Sequence, residues 1–270
     1  MSKKPNFLFL LPDQHRPDWL GANAELPLRT PNIDALARRG MAFDRAYCPS
    51  PLCAPCRASL ASGRDYLRCG VPGNHADYPL DQPTYYQALR EAGYRVAGVG
   101  KFDLHKDTSD VAKLDWHLDG SRCLDAWGFT DGIDNEGKID GSMSYRAHGR
   151  PRGPYLNFLE SRGLAETYVR EHQRIAEHRG AYVTALPDDA YCDNWLSGNG
   201  LRILRDLPRD QPWHLVVNFT GPHNPMDVTR ETHDAWAEVE SPPPVDNDQA
   251  DYSREDHQRN RQHYAAEIEN

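Results

Sequence analysis

The apolar positions of this chain fall into short runs separated by amphipathic stretches. Asn6 to Leu11 is a near-continuous apolar run that stops at Pro12-Asp13-Gln14-His15, the pattern of a strand covered on both faces in a parallel sheet. Asn32 is placed to cap a helix through Ile33, Leu36 and Ala37, with Gly40 where a left-handed terminal residue is wanted. Thr84 and Gln87 have capping-box spacing, and Tyr85, Ala88, Leu89 and Ala92 form a helical stripe closed by Gly93. Arg95 to Val99 reads as a second strand. Asp188 or Asp189 starts a long helix carrying Tyr191, Trp195, Leu201, Leu204 and Leu207, and His214 to Phe219 reads as a third buried strand.

Strands alternating with helices predict an α/β fold, a mostly parallel central sheet flanked by helices. Ligands of such sheets bind beyond the carboxyl ends of the strands. Polar chemistry stands at all three exits: Asp13 and Gln14, then Lys101, then His223 within Gly221-Pro222-His223-Asn224-Pro225. Residues 116–187 interrupt the rhythm with a polar, glycine-rich excursion and a short helix around Tyr155 to Leu159, and are expected to form a lid or substrate loop. Pro242 to Asp256 is acidic and proline-rich, like a linker. From His257 the pattern turns helical through Tyr264, Ala265 and Ile268 to Asn270 without a cap or closing strand, so a C-terminally incomplete domain is expected within residues 1–270.

Composition narrows the function. Forty acidic against thirty-one basic residues give a formal charge of -9, a field that repels phosphate backbones and anionic lipid, so neither nucleic acid nor membrane is an expected partner. No apolar run approaches the ~20 residues of a membrane span, and Phe7 to Leu11 is shorter than the ~7–15 residues of a signal-peptide core. A cytoplasmic chain with mostly reduced thiols is the expectation for Cys48, Cys53, Cys56, Cys69, Cys123 and Cys192.

The densest segment is Cys53-Ala54-Pro55-Cys56-Arg57-Ala58-Ser59-Leu60-Ala61-Ser62-Gly63-Arg64. Cys53 and Cys56 form a CxxC that would suit a thioredoxin-like redox pair with one lowered thiol pKa. A zinc half-site lacks a second CxxC. Neither reading accounts for Arg57, Gly63 or Arg64. The spacing Cys53, Pro55, Arg57, followed by Gly63-Arg64, resembles the C-x-P-x-R signature of the sulfatase family, in which the cysteine is oxidised to formylglycine. Thr30-Pro31-Asn32-Ile33-Asp34, Gly100-Lys101 and Gly221-Pro222-His223-Asn224-Pro225 extend the resemblance over most of the chain.

That resemblance implies an alkaline-phosphatase-like fold and a sulfuric ester hydrolase, with phosphonate or phosphate ester hydrolysis as the alternative. A redox protein, or a non-catalytic fragment that keeps the anion pocket, are the other readings. It assigns Cys53 as the formylglycine precursor and Arg57 as the residue that holds it. Free amides of a helix starting near Cys56 would face the anion. Lys101 would touch the transferred group and His223 would protonate the leaving oxygen. A hydrated formylglycine carries two hydroxyls: one attacks, and the other later expels the bound group.

The resemblance also implies a divalent metal, calcium first and magnesium or manganese as alternatives, held by Asp13, Gln14 and residue 53. Gln14 stands where many sulfatases have aspartate, and the Asp-Gln pair resembles phosphonate monoester hydrolases of the same superfamily. Where the family pattern has histidine two residues after the lysine, this chain has Asp103, with His105 two further on as the substitute. His15 and Arg16 are further candidates for substrate contact. The late Asp-His or Asp-Asn metal segment has no counterpart here. The implied partners are a small-molecule or carbohydrate sulfate ester and a formylglycine maturation enzyme.

Overall fold

The computed structural model describes residues 4–22, 26–43, 45–175 and 181–240, so the linker expected at 242–256 and the helix expected from 257 lie outside the described residues. Along the chain, β1 (Phe7–Leu11) precedes α1 (Pro31–Arg39), α2 (Cys53–Ser62) and α3 (Tyr85–Glu91). Then come β2 (Arg95–Gly100), α4 (Leu124–Trp127), β3 (Asp131–Asp134), α5 (Lys138–His148), α6 (Pro154–Ser161), α7 (Ala165–Gln173) and β4 (Ala181–Val183). The described elements end with α8 (Cys192–Asp206), β5 (Trp213–Asn218), β6 (Met226–Val228) and α9 (Arg230–Trp236).

Four strands form a parallel sheet in the order β1-β5-β2-β3, and β4 pairs with β6 in a small second sheet. Leu11 and Gly100 both lie in register with Asn218, and Gly100 with Asp134, so the carboxyl ends of all four strands finish level. The parallel α/β architecture is the one the strand–helix alternation predicts. Gly100 is required there: its φ is 115°, and a Cβ would lie 1.9 Å from the Asn218 carbonyl oxygen.

Adjacent residues of the central strands feed two cores. Val96 and Val216 pack with Ala54, Ala58, Tyr86, Phe102, Trp127 and Phe129 on one face. Ala97, Val99, Leu215 and Val217 pack with Tyr155, Leu159, Tyr168, Leu196 and Ile203 on the other. β2 and β5 are thus covered on both faces, the burial predicted for β1. β1 departs from it: Phe7, Leu8 and Leu10 are 44, 51 and 48% exposed. Among the described residues β1 is an edge strand beside β5, and α1 buries none of its residues.

Some boundaries also shift. α1 begins at Pro31 after Thr30, because a proline ring pre-sets the first helical φ, and Asn32 is therefore inside the helix. Gly40 has φ -123° and is not left-handed. Asp188 and Asp189 form a separate 3-10 turn with Ala190, and α8 starts at Cys192. The capping box of α3 forms as expected, each of Thr84 and Gln87 accepting the other's amide at 3.1 Å. The described residues of 116–187 are not an irregular loop: 116–175 and 181–187 supply β3, α4 to α7 and β4, with Trp116 and Trp127 buried.

Candidate active site

α2 carries the site's central residue. Ala54, Pro55, Arg57, Ala58, Ser59 and Ala61 are buried, and Gly63 closes the helix in the left-handed region (φ 64°) while its amide donates to the Ser59 carbonyl. Cys53 is the first helical residue, three positions earlier than expected. The anion-binding amides expected near Cys56 are consequently occupied. The Ala54 N–H donates to Asn74 Oδ1 at 3.0 Å, Pro55 has none, and the Cys56 N–H donates to the Leu52 carbonyl at 3.1 Å. Only the amide of Cys53 itself is left for an anion among the described residues.

The strand exits converge on Cys53. Lys101, 4% exposed, places Nζ 3.4 Å from Cys53 Sγ and 2.5 Å from Asp13 Oδ2. Arg57 donates to the Lys101 carbonyl at 2.5 Å and to Asp13 Oδ2 at 3.2 Å, so it ties two exits together. His223 completes the group: ligand atoms of Asp13, Cys53 and His223 lie within 4.8 Å of one another. Burial tends to raise the Asp13 pKa, but Lys101 and Arg57 outweigh it and hold the carboxyl below its ordinary value. Lys101 shows the mirror image, with burial opposed by Asp103 and Asp13 and the ammonium favoured. Burial, then the Lys101 charge, lower the pKa of His223.

The loop bearing His223 is fixed from two sides. Asp193, in the first turn of α8, accepts from the amides of Thr220 and Gly221 at 2.8 and 2.9 Å. Lys138 of α5 donates to the carbonyls of His223 and Pro225 at 3.3 and 3.2 Å and to Asp227 at 2.6 Å. Cys53, Lys101, Lys106, Lys138, Asp140 and His223 line a cavity of about 310 Å³. A second, of about 570 Å³, reaches Cys53 past Asp13, Gln14, His15 and Cys48.

Some expected residues are elsewhere. His105 does not line either cavity; its Nε2 is 3.2 Å from Asp77 and its Nδ1 faces Arg122 at 2.5 Å, so that local pair outcompetes the site. Asp103 meets Lys101 and Lys106. Arg16 is exposed and paired with Asp18. Cys56 lies 3.2 Å from Cys48 Sγ, so its sulfur is partnered with Cys48, and burial followed by that neighbour pushes its thiol up to about 12. Lys106, Lys138, Asp140, Asn74 and Asp193 carried no sequence signal, since each acts through tertiary contact.

Both cations on Asp13 take Oδ2, which leaves Oδ1 for a bound metal, and Gln14 lines the same cavity with an amide oxygen to offer. These fit one edge of a hard-cation site, which wants six or more oxygens. The thiol and imidazole are softer donors, so the described residues supply part of such a site.

Cys53 thus stands at a helix start, opposite a buried lysine and a histidine, at the carboxyl edge of a parallel sheet on an alkaline-phosphatase-like fold. The model of the Sulfatase family matches residues 5–270, and the chain belongs to that family. It is 28% identical over 243 residues to a choline-sulfatase of Rhizobium meliloti, covering 88% of this chain and 42% of that protein. It is 24% identical over 264 residues to an arylsulfatase of Clostridium perfringens, covering 94% and 50%. The chain thus spans half the length or less of these curated relatives. Among solved structures, the phosphonate monoester hydrolase of Agrobacterium radiobacter superposes with a TM-score of 0.62 at 24% identity, covering 89% of this chain and 45% of that one. A protein solved with its substrate D-glucosamine-2-N,6-O-disulfate gives 0.58 at 17%, covering 90% and 40%. Sulfatases generally use a divalent metal and formylglycine.

Proposed function

We propose that the protein hydrolyses sulfate esters at residue 53, converted from cysteine to formylglycine. The observation that carries this reading is the convergence of Lys101, Asp13 and His223 on Cys53 at the start of α2. Hydrated formylglycine supplies a hydroxyl to attack sulfur and a second to release the sulfate. Lys101 stabilises charge on the transferred group, Arg57 holds Lys101 and Asp13 in place, and His223 delivers a proton to the leaving oxygen. A metal, calcium by expectation, would be held through Asp13 Oδ1 and Gln14 and would polarise the ester oxygens. A small-molecule or carbohydrate sulfate is the substrate class, as the names of the choline-sulfatase and of an N-acetylglucosamine-6-O-sulfatase relative suggest.

Gln14 in place of a second carboxylate favours one further reading, a phosphonate monoester, and two phosphonate monoester hydrolases share the fold at a TM-score of 0.62. The deciding experiment is mass analysis of the peptide containing residue 53 after co-expression with a maturation enzyme. It should lose sulfur and gain oxygen, and the product should turn over nitrophenyl sulfate faster than a phenylphosphonate ester. An intact thiol together with no ester hydrolysis would reject the proposal.

A further inference from the structure

Lys106 is left unused by the chemistry above. It lies on the wall of the 310 Å³ cavity with Cys53, Lys101 and His223, yet is only 5% exposed. An ammonium carries three N–H donors. Asp103 Oδ2 accepts one at 3.0 Å and Asp140 Oδ2 another at 2.7 Å, and Lys106 makes no third hydrogen bond among the described residues. One donor remains for whatever occupies the cavity.

Asp103 carries the second observation. Its Oδ2 is shared, 3.4 Å from Lys101 Nζ and 3.0 Å from Lys106 Nζ, while its buried Oδ1 has no partner. Its backbone has φ 52°, a left-handed conformation that aspartate tolerates better than most side chains but still at a cost. A carboxylate that merely neutralised a lysine could do so from relaxed backbone with both oxygens bonded. Strain and an orphan oxygen are retained where the surroundings over-determine a geometry. What is over-determined here is the placement of two ammonium groups beside residue 53.

Building on the ester-hydrolase reading, we propose that Lys106 is a second substrate-anion contact, paired with Lys101 across Asp103 so that the two lysines bind different non-bridging oxygens of the group transferred at residue 53. Asp103 and Asp140 are its positioning residues. A tetrahedral oxyanion with at least two free oxygens suits this pair, and a neutral ester does not.

The test uses the matured protein with inorganic sulfate as the probe, its affinity read by calorimetry and by competition against nitrophenyl sulfate. Lys106→Met should weaken sulfate binding roughly 10- to 100-fold, the worth of one charge-assisted hydrogen bond. It should lower kcat/KM by a similar factor for every leaving group. Because Lys106→Met strands Asp140, the double variant Lys106→Met/Asp140→Asn is measured beside Asp140→Asn alone, with thermal melts on each. Sulfate affinity within about twofold of the reference in a folded double variant would reduce Lys106 to a structural ion pair and overturn the inference. A parent that binds sulfate through Lys106 but hydrolyses no ester keeps the inference and loses the hydrolase reading. A parent that binds no sulfate sinks the inference.

Discussion

Lys101 Nζ sits 2.5 Å from Asp13 Oδ2 and so joins the exits of β2 and β1, two strands that β5 separates in the sheet. Lys101 is buried and Asp13 largely so, and each partner favours the charged form of the other. Lys101→Met should therefore act twice. Loss of the cation facing the transferred group should lower kcat/KM by roughly 10²–10³-fold. Asp13 keeps Arg57 and Asp103 keeps Lys106, so losing one of two cations on each should cost about 1–3 kcal/mol of stability, measured by denaturant melts. A folded variant with the parent's rate would remove Lys101 from the reaction.

A second prediction concerns pH and stability. Glu136 is buried, and burial pushes its carboxyl up to about 7, although the Tyr155 and Leu156 amides at the start of α6 donate to it at 3.2 and 2.7 Å. The unfolded chain releases that proton near the ordinary value of 4.5. Between these values the folded form holds a proton that the unfolded form has lost. The contribution is thus complete below the unfolded value and fades as pH rises toward about 7, by at most about 3 kcal/mol. Glu136→Gln is neutral at every pH, so the parent should lose stability relative to the variant between about pH 5 and about pH 7.5. A difference that stays constant with pH would show that Glu136 is ionised throughout.

Much of this site was legible because the buried strands end abruptly in polar residues. β2 and β5 are apolar runs, so Lys101 and His223 stand out at their ends, and Asp13 does the same after β1. β3 was hidden because Asp131-Gly132-Ile133-Asp134 has one large apolar residue in four and is a strand through its pairing with β2. Once β3 joins the sheet, α5 follows directly at the carboxyl edge and brings Lys138 and Asp140 to the cavity. A lysine and an aspartate on a polar helix carry no sign of that placement in sequence. His105 misled for the opposite reason: it has the residue type the site wants, but Asp77 and Arg122 hold it elsewhere.

The cysteines give a third prediction. Cys48 and Cys56 approach to 3.2 Å between sulfurs, while Cys53 faces Lys101. Oxidised glutathione should link Cys48 to Cys56 in preference to Cys53, and slowly at neutral pH because the Cys56 thiol ionises reluctantly. Peptide mapping after exchange reads the product. Cys48→Ala should protect Cys56, and Cys53→Ala should change nothing. A dominant Cys53–Cys56 bridge would restore the redox reading.

The last prediction separates catalysis by His223 from packing. Its Nδ1 lies 2.6 Å from the Asn224 carbonyl, which holds a proton there and leaves Nε2 to exchange one with the substrate. A proton donor matters more as the departing oxygen becomes more basic, since a poor leaving group develops more charge in the transition state. In the matured protein, His223→Ala should slow alkyl or sugar sulfates by roughly 10²–10⁴-fold and nitrophenyl sulfate much less. A histidine that only packs would lower stability and slow every ester alike. Log rate against leaving-group pKa, for parent and variant, distinguishes the two. Lys138→Met is a useful companion: it releases the carbonyls of His223 and Pro225 and should shift the variant's line toward that of His223→Ala without removing the imidazole. Parallel lines for parent and His223→Ala would exclude His223 as the acid. The donor would then be sought among the other protonated groups that line the two cavities, Lys101, Lys106, Lys138 and His15, and not at His105, which lines neither.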